Sequence, residues 1–181
     1  MRKLIYFFPL ALLLAVVVYL SSQPREAQSV IPFLSRHFPQ EWLAAVLPDV
    51  RLQYGDINIE ARHSPYQFLE FVFRKSAHII LYTSVGLSLY IASFSMPSWR
   101  GRPLLRWLGV LAGIGLIAVF DEWNQSRVPM RSGIILDVWL DVIGGMAGTA
   151  AVVCIGRFMN RSRRNGRGIR ISPSDHRKPQ G

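Results

Sequence analysis

At 181 residues, half of them hydrophobic and with a formal charge of +10, the chain is long enough for one domain. Its apolar residues run against a soluble fold: they gather in blocks of about 17 to 22, near the ~20 a helix needs to cross hydrocarbon. The positive charge then reads as an orientation signal and not as a nucleic-acid footprint, and a single cysteine, Cys154, excludes an intrachain disulfide.

Arg2 and Lys3 precede an uncharged run over residues 4–20. The basic start resembles a signal peptide. The run is longer than a signal core, however, and Leu20-Ser21-Ser22-Gln23-Pro24 offers no small-x-small cleavage pattern. It is read as a first transmembrane helix. Residues 24–65 are polar and punctuated by prolines. Within them Pro39 can open a short helix ending at Pro48, with Trp42, Leu43, Val46 and Leu47 on one face. That face would lie on the membrane surface or over the ends of the other helices. Val50, Leu52 and Tyr54, then Ile57 and Ile59, alternate around Gly55-Asp56, a hairpin signal.

A second span is predicted over 66–95. Its interior carries Arg74-Lys75-Ser76-Ala77-His78, and Lys75, His78 and Tyr82 share one face by their spacing of three and four. Residues 96–103 form a turn. The third span covers 104–122, with Gly109-x-x-x-Gly113 as a small-residue seam. A charged loop follows, then a fourth span over 134–156 with Asp137 and Asp141 one turn apart and a second seam, Gly144-x-x-x-Gly148. The transmembrane domain thus occupies residues 4–156. Residues 157–181 are a basic tail, too polar to bury a core and expected to be disordered.

With four spans, residues 1–3, 96–106 and 157–181 share one side. They hold most of the arginine and lysine and only Asp175 among the acids. The positive-inside rule places both termini in the cytoplasm, where the tail faces anionic headgroups. The expected fold is all-α and integral to the membrane, with four transmembrane helices and an extracytoplasmic segment between the first two.

This topology gathers charges at one depth. Lys75 and His78 fall near the outer end of the second helix, Asp121 and Glu122 at the exit of the third, and Asp137 and Asp141 one to two turns inside the fourth. A charge in hydrocarbon costs about 3 kcal/mol even on lenient scales, so pairing or function must offset it.

The segments RKSAHIILYTSVG and DEWNQSRVPMRSGIILDVWLDVIGG resemble the VanZ-like family of small bacterial membrane proteins. The family pattern has a lysine and a histidine on one helix and an Asp-Glu-x-x-Gln segment on another. A Val-Pro-x-Arg turn and an Asp-x-x-x-Asp/Asn-x-x-Gly helix follow. Lys75, His78, Asp121, Glu122, Gln125, Arg131, Asp137, Asp141 and Gly145 match it. Asn124 stands where relatives often carry His, and Met130 where Gly is usual. The resemblance implies a multi-pass protein of the bacterial cytoplasmic membrane. It also brings an association with low-level resistance to the glycopeptide teicoplanin.

Three functions stay open. The first is a binding protein whose charged cavity near the outer leaflet engages a lipid-linked or glycopeptide ligand through Lys75, Gln125, Arg131, Asp137 and Asp141. There Lys75 and Arg131 would grip a phosphate, unless Lys75 only neutralises the acids. The second is an enzyme on a phosphorylated lipid, with Glu122, His78 and Asp121 moving protons. The third is a small proton-coupled transporter using Asp137 and Asp141. His78 with Glu122, Asp137 and Asp141 would suit an oxygen-rich cation site, but the spacing matches no standard zinc pattern; neither a metal nor a cofactor is expected. The partners expected are the bilayer and the ligand, with no nucleic acid.

Overall fold

The computed structural model describes residues 4–129 and 133–167. The chain is mostly helical. A 3-10 turn over Leu4–Phe7 leads into α1 (Phe8–Ser21). Two short helices follow, α2 (Ile31–His37) and α3 (Gln40–Val46), and then a two-stranded hairpin, β1 (Arg51–Tyr54) and β2 (Ile57–Glu60). The long helices are α4 (Pro65–Ser93), α5 (Pro103–Ser126) and α6 (Ile135–Arg167). These three are long and apolar enough to cross a membrane, whereas the run Ile5–Ser21 is shorter.

The sheet is small but its register is clear. Arg51 faces Glu60 and Tyr54 faces Ile57 in antiparallel pairing, with Gly55 at φ +59° making the turn. Half-buried Leu52, Tyr54, Ile57 and Ile59 alternate with exposed neighbours, as the sequence alternation requires. The predicted short helix forms as α3, burying Leu43 while Trp42 and Val46 stay exposed. α2 was not expected. It starts with Pro32 in its first turn and carries Arg36 and His37 in its last, both favourable at those ends.

Two boundaries differ from the sequence reading. The segment after Phe120 is not a loop: α5 continues through Ser126. No breaker intervenes before Pro129, and Asp121, Glu122 and Gln125 extend the buried stripe of Val110, Ile114 and Ala118 at helical spacing. Likewise residues 157–167 are helical, because their five arginines and Met159 favour a helix and no proline follows until Pro173. The rest of the predicted basic tail lies outside the described residues.

The core has two parts. Leu10, Val17, Val85 and Ala92 join α1 to α4; Tyr90, Val110 and Ile114 join α4, α5 and α6 with Trp107 and Val142 beside them. The outward faces remain apolar, with Leu108, Leu116, Trp139 and Ile143 exposed, the surface a lipid environment accepts. Of the tryptophans on the long helices and the turn between α4 and α5, Trp123 and Trp139 are exposed. Trp99 instead covers Gly109 and Trp107 packs on Tyr90. In the first glycine seam Gly109 thus makes room for a ring and Gly113 for the Leu89 side chain, not for a helix backbone.

The second seam is a helix contact. A Cβ at Gly148 would strike the backbone of Thr83 and Leu87, and one at Gly86 would strike Gly145. Backbone-to-backbone approach is what small residues permit between membrane helices. Two hydroxyls bridge the same contact: Thr83 donates to the Gly144 carbonyl at 3.1 Å and Thr149 to the Gly86 carbonyl at 3.4 Å.

Candidate functional site

The seam fixes what lies next to it. Asp141 precedes Gly144 and Gly145 by one turn, and His78 precedes Gly86 by two, so the close approach of α4 and α6 brings these two side chains together. His78 Nδ1 lies 3.2 Å from Asp141 Oδ1, and the Asp141 residue is fully buried. Tyr82, one turn beyond His78, is fully buried too and donates its phenol to Asp121 Oδ2 at 3.1 Å. Its ring is nearly parallel to the imidazole, 9° between planes.

A second arrangement sits one turn toward the hairpin. Lys75 pairs with Asp137, and Tyr54 of β1 donates to the same Asp137 Oδ1 at 2.5 Å. The ammonium also lies 4.4 Å from the centre of the Tyr54 ring, a cation–π contact. The Tyr54 phenol is held well above its ordinary range, first by burial and then by its hydrogen bond to Asp137. The hairpin is therefore clamped to the helix pair through one carboxylate.

Glu122 turns the other way. Its Oε1 accepts the Ile134 backbone amide, tying the end of α5 to the start of α6. Of the acids that Lys75 could neutralise, Asp121 and Glu122 are not its partners; Asp137 is. Arg131 itself lies outside the described residues. Gln125 is buried beside Asp121 on the same helix face and lines both cavities described below.

Two features escaped the sequence reading. Asn124 donates to the Ser21 and Ser22 hydroxyls, at 2.7 and 3.0 Å, fastening the end of α1 to α5. Glu70 accepts from Ser29 at 2.5 Å and from Arg74 at 2.8 Å. The spacing of Glu70 and Arg74 marked an i,i+4 pair; the Ser29 contact had no sequence signal.

Two cavities meet at these residues. The larger, about 650 Å³, runs between α1, α4 and α5 and is lined by Leu13, Val17, Phe73, Ala77, Ile80 and Leu81 among others. The smaller, about 360 Å³, lies under the hairpin and is lined by Arg25, Gln67, Lys75, Ile134 and Asp137 among others. Glu70, Arg74, His78 and Gln125 line both. The result is an apolar compartment joined to a charged one across a polar wall.

A family model described as VanZ/LLP1 matches residues 6–156, most of the chain. No curated protein and no solved structure matches it.

Proposed function

The chain belongs to the VanZ/LLP1 family, and on that premise we propose a four-span membrane protein that binds a lipid-linked anionic ligand. α1, α4, α5 and α6 are the spans, both termini are cytoplasmic and the charged compartment opens near the outer leaflet. The observation that carries the reading is the junction of the two cavities. The apolar lining on α4 runs from Phe73 to Ser84, about 16 Å along the helix axis, roughly half the ~30 Å thickness of the hydrocarbon. A chain of one leaflet fits beside it. The headgroup then falls among Arg25, Arg74 and Lys75 in the smaller compartment, where guanidinium groups suit phosphate oxygens.

Lys75 is already engaged by Asp137 and Arg74 by Glu70, so Arg25 carries the headgroup, Arg74 stands beside it, and Lys75 holds the hairpin that roofs it.

The test uses the purified full chain in lipid nanodiscs. Binding of a single-chain lipid phosphate is compared with that of the same lipid as its uncharged alcohol, by native mass spectrometry. The phosphate should bind at one per chain, the alcohol at least tenfold more weakly. Leu81→Trp, which fills the apolar cavity, and Arg25→Gln should each weaken phosphate binding. Equal retention of both lipids, insensitive to either substitution, would refute the reading.

A further inference from the structure

His78, Asp121 and Asp141 come from three different helices, α4, α5 and α6. Each offers one ligand atom, and these atoms all lie within 4.8 Å of one another. Ligands on a single ion at about 2.1 Å are separated by about 3 Å when adjacent and about 4 Å when opposite. The 3.2 Å from His78 Nδ1 to Asp141 Oδ1 falls within that range.

The second observation concerns the carboxylates. Tyr82 fixes one oxygen of Asp121, and one oxygen of Asp141 faces His78 Nδ1, which in its deprotonated tautomer offers the same ion a lone pair. The remaining oxygens, Asp121 Oδ1 and Asp141 Oδ2, are buried and have no hydrogen-bond partner among the described residues. Asp141 is 0% and Asp121 3% exposed. Buried carboxylate oxygens of this kind are costly to leave unpaired. Lys75 does not serve them, being bound to Asp137.

We infer that these three residues bind one divalent cation. Two carboxylates and one imidazole form a mixed oxygen–nitrogen set suited to manganese or zinc, and three protein ligands leave coordination positions open. Tyr82 acts behind the ligands, orienting Asp121 through its phenol. His78 and Asp121 both line the larger cavity, which gives the ion a route in and turns the open positions toward it. This set differs from the one the sequence offered. Asp137 is committed to Lys75 and Tyr54, Glu122 to the Ile134 amide, and Asp121 takes their place.

The cation site stands apart from the lipid-ligand reading, since it is read with the metal alone. The full chain, purified in detergent and stripped with a chelator, is titrated with Mn²⁺ and followed by electron paramagnetic resonance. One Mn²⁺ per chain should bind, with hyperfine coupling to a single imidazole nitrogen. His78→Gln should remove that coupling, and Asp121→Asn and Asp141→Asn should weaken binding at least tenfold. The exposed Glu41→Gln should leave binding unchanged. The wild-type nitrogen signature needs no substitution, so a variant that fails to fold does not remove the test. Absence of stoichiometric binding to the wild-type chain, or binding without nitrogen coupling, would overturn the inference.

Discussion

Gly148→Ala is the smallest change that tests whether α4 and α6 must touch along their backbones. An alanine Cβ there would sit 2.8 Å from the Thr83 carbonyl carbon and 2.9 Å from the Leu87 nitrogen, and closer still to the Thr83 oxygen. All three are backbone atoms, so no rotamer change relieves the clash and the helices must move apart. A gap of about 0.5–1 Å forfeits roughly a quarter to a half of the dispersion energy of each contact it opens. Overpacking of this kind costs about 1–3 kcal/mol, and the rigid neighbours place this case in the upper half. Alanine returns up to about 1 kcal/mol of helix propensity. The net expectation is a loss of about 1–2 kcal/mol, on the balance of those two terms. Gly115→Ala is the control, because a Cβ there meets nothing within 4 Å. It should be neutral or slightly stabilising. Reversible unfolding in mixed micelles, followed by circular dichroism, gives both numbers. If Gly148→Ala unfolds like Gly115→Ala, the seam does not hold the helices together and the placement of His78 beside Asp141 loses its explanation.

The remaining expectations concern the clamps around the cavities. Lys75→Met leaves Asp137 without its cation; both side chains are only 14% exposed, and the loss should approach the lower end of the ~3–5 kcal/mol for breaking a buried pair. The double variant with Asp137→Leu should recover part of it, which unfolding of the two singles and the double will show. Tyr54→Phe removes a hydrogen bond to a carboxylate and should cost about 1.5 kcal/mol at neutral pH. Because the folded chain holds the Tyr54 proton more tightly than the unfolded one, its contribution is complete below pH 10 and is lost as pH rises through the raised folded-state range. Unfolding of the wild type should therefore weaken more steeply above about pH 10 than that of Tyr54→Phe. Asn124→Ala releases Ser21 and Ser22 and should cost about 1 kcal/mol, with faster hydrogen exchange at the end of α1 as the signature.

The long helices were legible because their apolar runs exceed what any surface helix carries, and the hairpin because its apolar residues alternate. The end of α5 was misread for a reason that is itself physical. Asp121, Glu122 and Gln125 look like a polar exit from the membrane, yet their spacing continues the buried stripe, and periodicity outweighs polarity when partners wait on the neighbouring helix. The ionisable residues of the site could be named from the sequence, since charges in apolar runs stand out. Their pairing could not. Whether Lys75 meets Asp137 or Glu122 depends on helix rotation set by Gly86, Gly145 and Gly148, and a one-dimensional pattern carries no rotation. The role of Asn124 was hidden for the same reason, because its partners are more than a hundred residues away.

The most direct test of the proposed function asks what occupies the larger cavity in living membranes. A photoreactive amino acid at Ala77, which lines that cavity without pairing to any charged group, is activated in intact cells, and the attached lipid is identified by mass spectrometry. A phosphate-bearing lipid should be enriched over its share of the membrane, and that adduct should be lost in the Leu81→Trp background. Adducts that simply mirror bulk lipid composition, unchanged by Leu81→Trp, would contradict it.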